Sequence, residues 1–213
     1  MKNQAKSVVE YYVFCNKLKN VIRTGWKNWK VDRERIESVA EHIFGVQQLA
    51  IAMHSQYKYD LDLYKIIFML AIHELEEIVI GDLTVWDIEA DDKLSKGHKA
   101  VSMILKDLIT KEEIEKLILE FDAKETEEAV FAYHCDKLEC DIQCKLYDEE
   151  ECVDFNNQND NPIYFDNKVQ NIIKSGETTW SGMWLEYDRE KYVDDPNFME
   201  VLDYVKENTI RKK

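Results

Sequence analysis

Proline and glycine are scarce in this chain, two and six among 213 residues. A β-sandwich or barrel uses turn residues about every 8–12 positions, so the shortage favours long helices joined by short loops. Positive charge is also short: 28 Lys/Arg face 43 Asp/Glu, a net charge of −15. Nucleic acid polymers and anionic membranes both require a basic surface, so neither is expected as a main partner. No apolar run approaches the roughly 18 residues of a membrane span. The chain opens Met1-Lys2 and continues polar, without the apolar core of a secretory signal. The five cysteines, Cys15, Cys135, Cys140, Cys144 and Cys152, are an odd set with no CxxC pair. A disulfide scaffold or a zinc knuckle would space them differently, so reduced thiols in a cytoplasmic protein are expected. Repeats and low-complexity tracts are missing too. The length suffices for one well-packed all-α domain over residues 1–213.

What charge there is lies unevenly. Residues 1–36 hold nine Lys/Arg against three Asp/Glu, so the remainder carries −21. A solvated basic face accounts for most of those lysines; a landing site for a small anion is the functional alternative. Residues 5–22 are expected to form a first helix with Val9, Tyr12, Val13 and Leu18 at apolar spacing. The linker that follows, RTGWKNWKVDRERIESVAEH, turns at Gly25 and carries Trp26 and Trp29. Tryptophan ordinarily packs in a core, yet an aromatic face beside arginines also suits a nucleobase or a phosphate ester. Ser38-Val39-Ala40-Glu41 spells a capping box, opening a helix on which His42, Val46, Leu49 and Met53 share a face.

Further along, Asp60–Asp62 cap a helix over 63–80. A helix over 85–109 follows an acidic loop of Asp87, Glu89, Asp91 and Asp92, whose charges suit a helix N-terminus. Thr110–Glu113 reads as a second capping box, for a helix ending near Phe121. A long helix from Thr126 to about Glu151 turns Phe131, Cys135, Leu138, Ile142 and Leu146 inward, with Asp136 flanking that face. The last third has a polar loop over 154–161, a short helix near 166–174 and an aromatic stretch with Trp180, Trp184 and Tyr187. A final helix opens at Asp195-Pro196, Asp as cap and Pro at the first helical position.

The stretch that organises the chain is His73–Thr84, HELEEIVIGDLT. Projected as a helix, Ile66, Leu70, His73 and Glu77 fall on one stripe, because residues three and four apart share a face. An apolar stripe should not carry an imidazole and a carboxylate, since an unpaired buried carboxylate costs several kcal/mol. Glu74, Glu76 and Asp82 add more negative charge. A divalent metal ion answers that need most directly. His42 alone would read as a satisfied core histidine; its value lies in meeting the His73 helix.

His42, the doublet His73-Glu74 and the distant Asp136 resemble the metal site of the HD-domain phosphohydrolases, which use His, His-Asp and a remote Asp on separate helices of an all-α bundle. RTGW (Arg23–Trp26), ESVAEH (Glu37–His42), HELEEIVIGDLT and CDKLEC (Cys135–Cys140) stand in the order of the 5′-deoxynucleotidase-like branch, over about residues 15–150. About two extra residues separate the first two motifs. The final residues, about 160–213, form a helical extension without a motif.

The resemblance implies hydrolysis of a nucleoside 5′-monophosphate with one divalent ion (Mn, Co, Mg, Zn or Fe) held by His42, His73, Glu74 and Asp136. It further implies that the metal acidifies a water and polarises a phosphoryl oxygen, and that Glu77 orients or deprotonates that water. Asp82 would sit near the sugar 3′-hydroxyl and the leaving oxygen, Arg23 at the phosphate, and Trp26 against the sugar, favouring the 2′-deoxy form. A homodimer is also implied. The chain departs from the family in having Glu74 where the doublet has Asp, one C–C bond longer or roughly 1.5 Å of reach. Three rivals stay open: an HD phosphohydrolase on another nucleotide phosphoester, an HD bundle that binds a nucleotide without turnover, and a helical domain with merely solvated acids.

Overall fold

The computed structural model describes residues 3–84 and 86–211. It contains eleven α-helices among the described residues, and extended pairing there is limited to one antiparallel bridge, Ile22 to Ser38. In chain order the helices are α1 (Gln4–Cys15), α2 (Thr24–Asn28), α3 (Val39–Tyr57), α4 (Leu63–Ile72), α5 (Glu77–Ile80), α6 (Ala90–Leu105), α7 (Lys111–Ala123), α8 (Glu127–Glu149), α9 (Asn167–Lys174), α10 (Trp180–Asp188) and α11 (Pro196–Glu207). The helical expectation is met. The chain divides into two compact units, residues 1–24 with 37–133 and residues 25–36 with 134–213.

In the first unit α3 packs on α4, α4 on α7, and α6 on α1, α5 and α7. Helix α3 starts where expected, with Ser38 accepting from the Glu41 N–H and Glu41 reaching back to the Ser38 N–H. It buries Val39, His42, Val46, Ala50 and Met53 at i, i+3/i+4 spacing. Asp62 caps α4 by accepting from the Lys65 N–H. Around the end of α4 lies a core cluster of Ile72, Leu75, Val101, Leu105, Ile114 and Ile118.

Four local expectations change. The helix expected over 63–80 breaks: α4 ends at Ile72, and residues 73–76 form a turn before α5. Backbone bonds there run three residues back, Leu75 N–H to Ile72 O at 3.1 Å and Glu77 N–H to Glu74 O at 3.2 Å, the tighter 3₁₀ pattern. The first helix stops at Cys15, before a 3₁₀ turn over Asn16–Asn20. Tyr11 and Cys15 contact the core, while Val9, Tyr12 and Val13 stay more than half exposed; the one-residue shift of face turns the apolar stripe outward. The helix expected from 85 begins at Ala90. Thr84 instead donates its N–H and hydroxyl to Asp87, and such local bonds compete with helix; Val85 lies outside the described residues. Thr110 makes no capping bond, its φ of −99° and ψ of 27° lying outside the extended region a capping box needs.

The second unit recruits the supposed linker as core. Trp29 is fully buried, with Trp180, Trp184, Phe155 and Tyr164 around it at ring-centroid distances of 5.8–6.4 Å. Gln158 donates to the Trp29 carbonyl at 3.3 Å. Of the aromatic stretch of the last third, Trp180 is interior, while Trp184 and Tyr187 are part-buried. Helix α8 buries Ala132, His134, Asp136 and Glu139 as well as the expected Phe131, Cys135 and Leu138, whereas Ile142 and Leu146, also expected inward, are only part-buried. All five cysteines are free thiols.

Within this unit the deeply buried Asp141 accepts from the Tyr192 hydroxyl at 2.8 Å. Burial, then the nearby Asp188 carboxylate, push the Asp141 carboxyl well above its ordinary range. A raised folded-state pKa means that the folded protein holds a proton that the unfolded chain has released. The contribution is complete below the unfolded value near 3.9 and is lost as pH rises through the folded value. Asp141→Asn keeps an acceptor for Tyr192 and removes the titration. In urea unfolding across pH 4 to 8, the variant should therefore gain on the wild type as pH rises, by at most about 1.4 kcal/mol per pH unit. Parallel pH profiles for the two proteins would contradict this.

Candidate metal centre

The turn at 73–76 is anchored on both sides of its polar residues. Ile72 and Leu75 sit in the core cluster at 3% and 2% exposure, so His73 and Glu74 between them project elsewhere. His73 is buried, its Nδ1 lies 2.8 Å from the Leu70 carbonyl, and its ring meets Phe121 edge-on at 5.3 Å. A carbonyl can only accept, so Nδ1 carries the proton and Nε2 presents a lone pair. His42, fully buried on α3, brings its ring within 5.6 Å of His73.

The two imidazoles converge on one carboxylate oxygen. Glu74 Oε1 lies 3.8 Å from His42 Nε2 and 3.6 Å from His73 Nε2. These distances are longer than hydrogen bonds. They are near the separation of neighbouring ligands around a common ion at about 2.0–2.2 Å from each. The three residues offer ligand atoms within 4.8 Å of one another. Two neutral imidazole nitrogens and a carboxylate form a donor set that fits a divalent cation. The longer Glu74 side chain thus reaches both histidines. Asp136 stands in the second unit, buried on α8, with Lys137 Nζ 2.8 Å from its Oδ2.

The remaining acids crowd the same turn. Glu77 is 1% exposed, and among the described residues its Oε2 has no hydrogen-bond partner. Burial, then the Glu74 and Asp82 carboxylates, push its carboxyl well up, against the pull of Arg23. Burial and Glu74 likewise push Glu76 up to about 8. Asp82 follows Gly81, whose φ of 79° turns the chain sharply at little cost only to glycine. Its Oδ2 accepts the Thr24 N–H at 2.5 Å, and its carbonyl accepts the Thr24 hydroxyl at 2.6 Å.

Arg23 is placed by the antiparallel bridge. Val39 N–H donates to Val21 O at 2.8 Å and Arg23 N–H to Glu37 O at 3.1 Å. The arginine motif is thereby clamped to the residues that open α3. Arg23 Nη1 lies 3.3 Å from Glu74 Oε1. Trp26 lies in the second unit, 6% exposed, its ring edge-on to Tyr147 at 5.5 Å and to Trp180 at 5.9 Å.

Two participants were not read from the sequence. Thr24 holds Asp82, and its signal was its place inside the RTGW motif. Lys93 on α6 donates to the Leu83 carbonyl at 2.7 Å and comes within 3.9 Å of Glu77 Oε1. Its signal was a single lysine directly after Asp91 and Asp92, in a stretch otherwise read only as an acidic helix start.

Comparison with known proteins places the chain in a family. The family model for the HD domain matches residues 15–192. The 5′-deoxynucleotidase HDDC2 of Dictyostelium discoideum is 30% identical over 67% of this chain and 78% of the relative. The 5′-deoxynucleotidase HDDC2 of Xenopus laevis is 28% identical over 68% of this chain and 72% of its own length. A solved structure of a conserved hypothetical protein from Pyrococcus furiosus superposes with a TM-score of 0.66, covering 94% of this chain and 99% of that one at 24% identity. The chain belongs to the HD-domain family, in the branch that contains these relatives.

If these side chains hold one ion, protein purified without chelator should contain about one equivalent of divalent metal by elemental analysis. His42→Ala should lower that content several-fold, as should Asp136→Ala. Unchanged content in both variants would rule the ligand set out.

Proposed function

We propose that the protein is a metal-dependent 5′-deoxynucleotidase, hydrolysing 2′-deoxyribonucleoside 5′-monophosphates to deoxynucleoside and phosphate. The observation that carries this reading is the convergence of His42 Nε2 and His73 Nε2 on Glu74, with the buried Glu77 carboxyl at its side. Relatives matched over about two thirds of the chain are named 5′-deoxynucleotidases. Asp136 completes the ligand set in this proposal, supported by its burial and its motif position. The mixed nitrogen and oxygen donors favour a transition-series ion over magnesium. When bound, the ion supplies Lewis acidity, which acidifies a water and polarises a phosphoryl oxygen.

The protein's own groups divide the remaining work. Glu77 takes the proton of the attacking water, a role suited to a carboxylate held out of bulk solvent. Arg23 binds the phosphate with a planar fork of donors. Asp82 accepts from the sugar 3′-hydroxyl beside the leaving oxygen; Thr24 engages its Oδ2, which leaves acceptor capacity on Oδ1. The P–O5′ bond breaks as the water oxygen adds to phosphorus, and the proton that Glu77 took from the water is returned to O5′, giving deoxynucleoside and phosphate. Trp26 edges the sugar and disfavours a 2′-hydroxyl. An apolar wall rejects an added hydroxyl only modestly, by perhaps 10²-fold, so the preference is real but leaky. The cations paired with the acidic turn, Arg23 and Lys93, suit a monophosphate better than a triphosphate.

In this reading both units act together as one HD domain, supported by a family match that runs through both. The free thiols support a cytoplasmic location, and no helix among the described residues is long and apolar enough to cross a membrane. A homodimer rests on the resemblance and on the exposed Val9, Tyr12 and Val13 of α1.

Phosphate release across nucleoside mono-, di- and triphosphates with Mn²⁺, Co²⁺, Mg²⁺ and Zn²⁺ tests the proposal. Deoxyribonucleoside monophosphates should be turned over best. Glu77→Gln should keep the metal and lose about 10²–10⁴-fold in rate, and Trp26→Ala should raise relative turnover of ribonucleotides. Bound metal without release from any nucleotide would point to a binding module, and equal wild-type turnover of deoxy and ribo forms would remove Trp26 from the account.

A further inference from the structure

The loop after α5 carries Asp82, yet it has few apolar anchors: residues 81–84 are all only partly buried. What fixes it is polar. On one side Thr24 holds Asp82 through its N–H and hydroxyl. On the other, Lys93 donates to the Leu83 carbonyl at 2.7 Å. The same ammonium stands 3.9 Å from Glu77 Oε1. Helix α6 presses against the acidic turn as well: a side chain at Gly97 would approach Glu76 Cγ to 3.3 Å. Lys93 is thus fixed relative to both acids that the proposed reaction uses, one through the backbone next to it and one through charge.

We propose that Lys93 is a positioning residue for this site: it ties the 81–84 loop to α6 and holds Asp82 and Glu77 in reacting register. This rests on the reading of the protein as a nucleotide phosphohydrolase. Lys93 is not a catalytic residue, since it acts through Glu77 and the Leu83 carbonyl rather than on the substrate. Geometry decides the size of the effect. A displacement of about 1 Å in a positioned group can cost about 10²-fold in rate, and a freed loop tip moves at least that far. An effect on alignment falls on kcat, because Arg23, which binds the phosphate, and the residues that hold the metal are untouched.

Three proteins separate this role from a merely structural one: wild type, Lys93→Met, which keeps most of the stem without charge or donor, and Lys93→Arg, which restores both. Amide hydrogen exchange at residues 82–84 should accelerate about tenfold or more in Lys93→Met. Its kcat on a deoxyribonucleoside monophosphate should fall about 10–100-fold, with KM within about threefold and metal content unchanged. Lys93→Arg should recover most of the kcat and the exchange protection. An active wild type whose Lys93→Met variant keeps its kcat, or keeps the protection of 82–84, overturns the role of Lys93 alone. Loss of metal content in both variants also overturns it, assigning Lys93 to folding of the whole site. A wild type that releases no phosphate from any nucleotide overturns the underlying reaction, and with it a positioning role in that reaction; the exchange measurement still shows whether the tie to the loop exists.

Discussion

Charge balance at the His73–Asp82 turn is the constraint on which the rest of the site depends. Glu74, Glu76, Glu77 and Asp82 lie within ten residues, and Glu77 is almost without solvent. Carboxylates brought together away from water repel one another and lose hydration, so some must be protonated or paired. Among the described residues, Arg23 pairs with Glu74 and Lys93 comes within 3.9 Å of Glu77. Burial and mutual repulsion accordingly raise Glu76 and Glu77. A divalent ion held by His42, His73 and Glu74, as proposed, would supply further positive charge. It would also free the Glu77 carboxylate to accept a proton, because a nearby cation favours the ionised form.

Apolar and backbone interactions hold that unfavourable arrangement in place. Ile72 and Leu75 are anchored in one cluster with Val101, Leu105, Ile114 and Ile118, so the tight turn cannot relax outward without exposing them. The bridge between residues 21–23 and 37–39 sets the arginine motif against the cap of α3. A single capping box then starts α3 in the register that buries His42. Each polar group of the first unit's site is thus referenced to a hydrophobic or hydrogen-bonded anchor within a few residues of itself.

This explains which parts were legible in the sequence. Helix starts with strong local chemistry, Ser38-Glu41, Asp62 and Asp195-Pro196, fall where expected, because the side chain that satisfies the end is encoded beside it. The burial of Ile66, Leu70, His73 and Glu77 was also correct. The helix carrying them was not continuous, because periodicity does not distinguish an α-helix from one that tightens for a turn. The outward stripe of α1 and the interior role of Trp29 depend on tertiary partners distant in sequence, Trp180 and Tyr164 among them. Lys93 was missed for the same reason: its meaning comes from Leu83 and Glu77 in space, and a lysine beside two aspartates looks like any solvated helix start.

The central claim is that the imidazoles of His42 and His73 and the Glu74 carboxylate hold a single cation. Crystals grown with Mn²⁺ and measured on both sides of the manganese absorption edge test it most directly. The account predicts one anomalous peak within about 2.0–2.3 Å of His42 Nε2, His73 Nε2 and a Glu74 carboxylate oxygen. Saturating Mn²⁺ with no peak there, or with the principal peak at a different set of side chains, would contradict it.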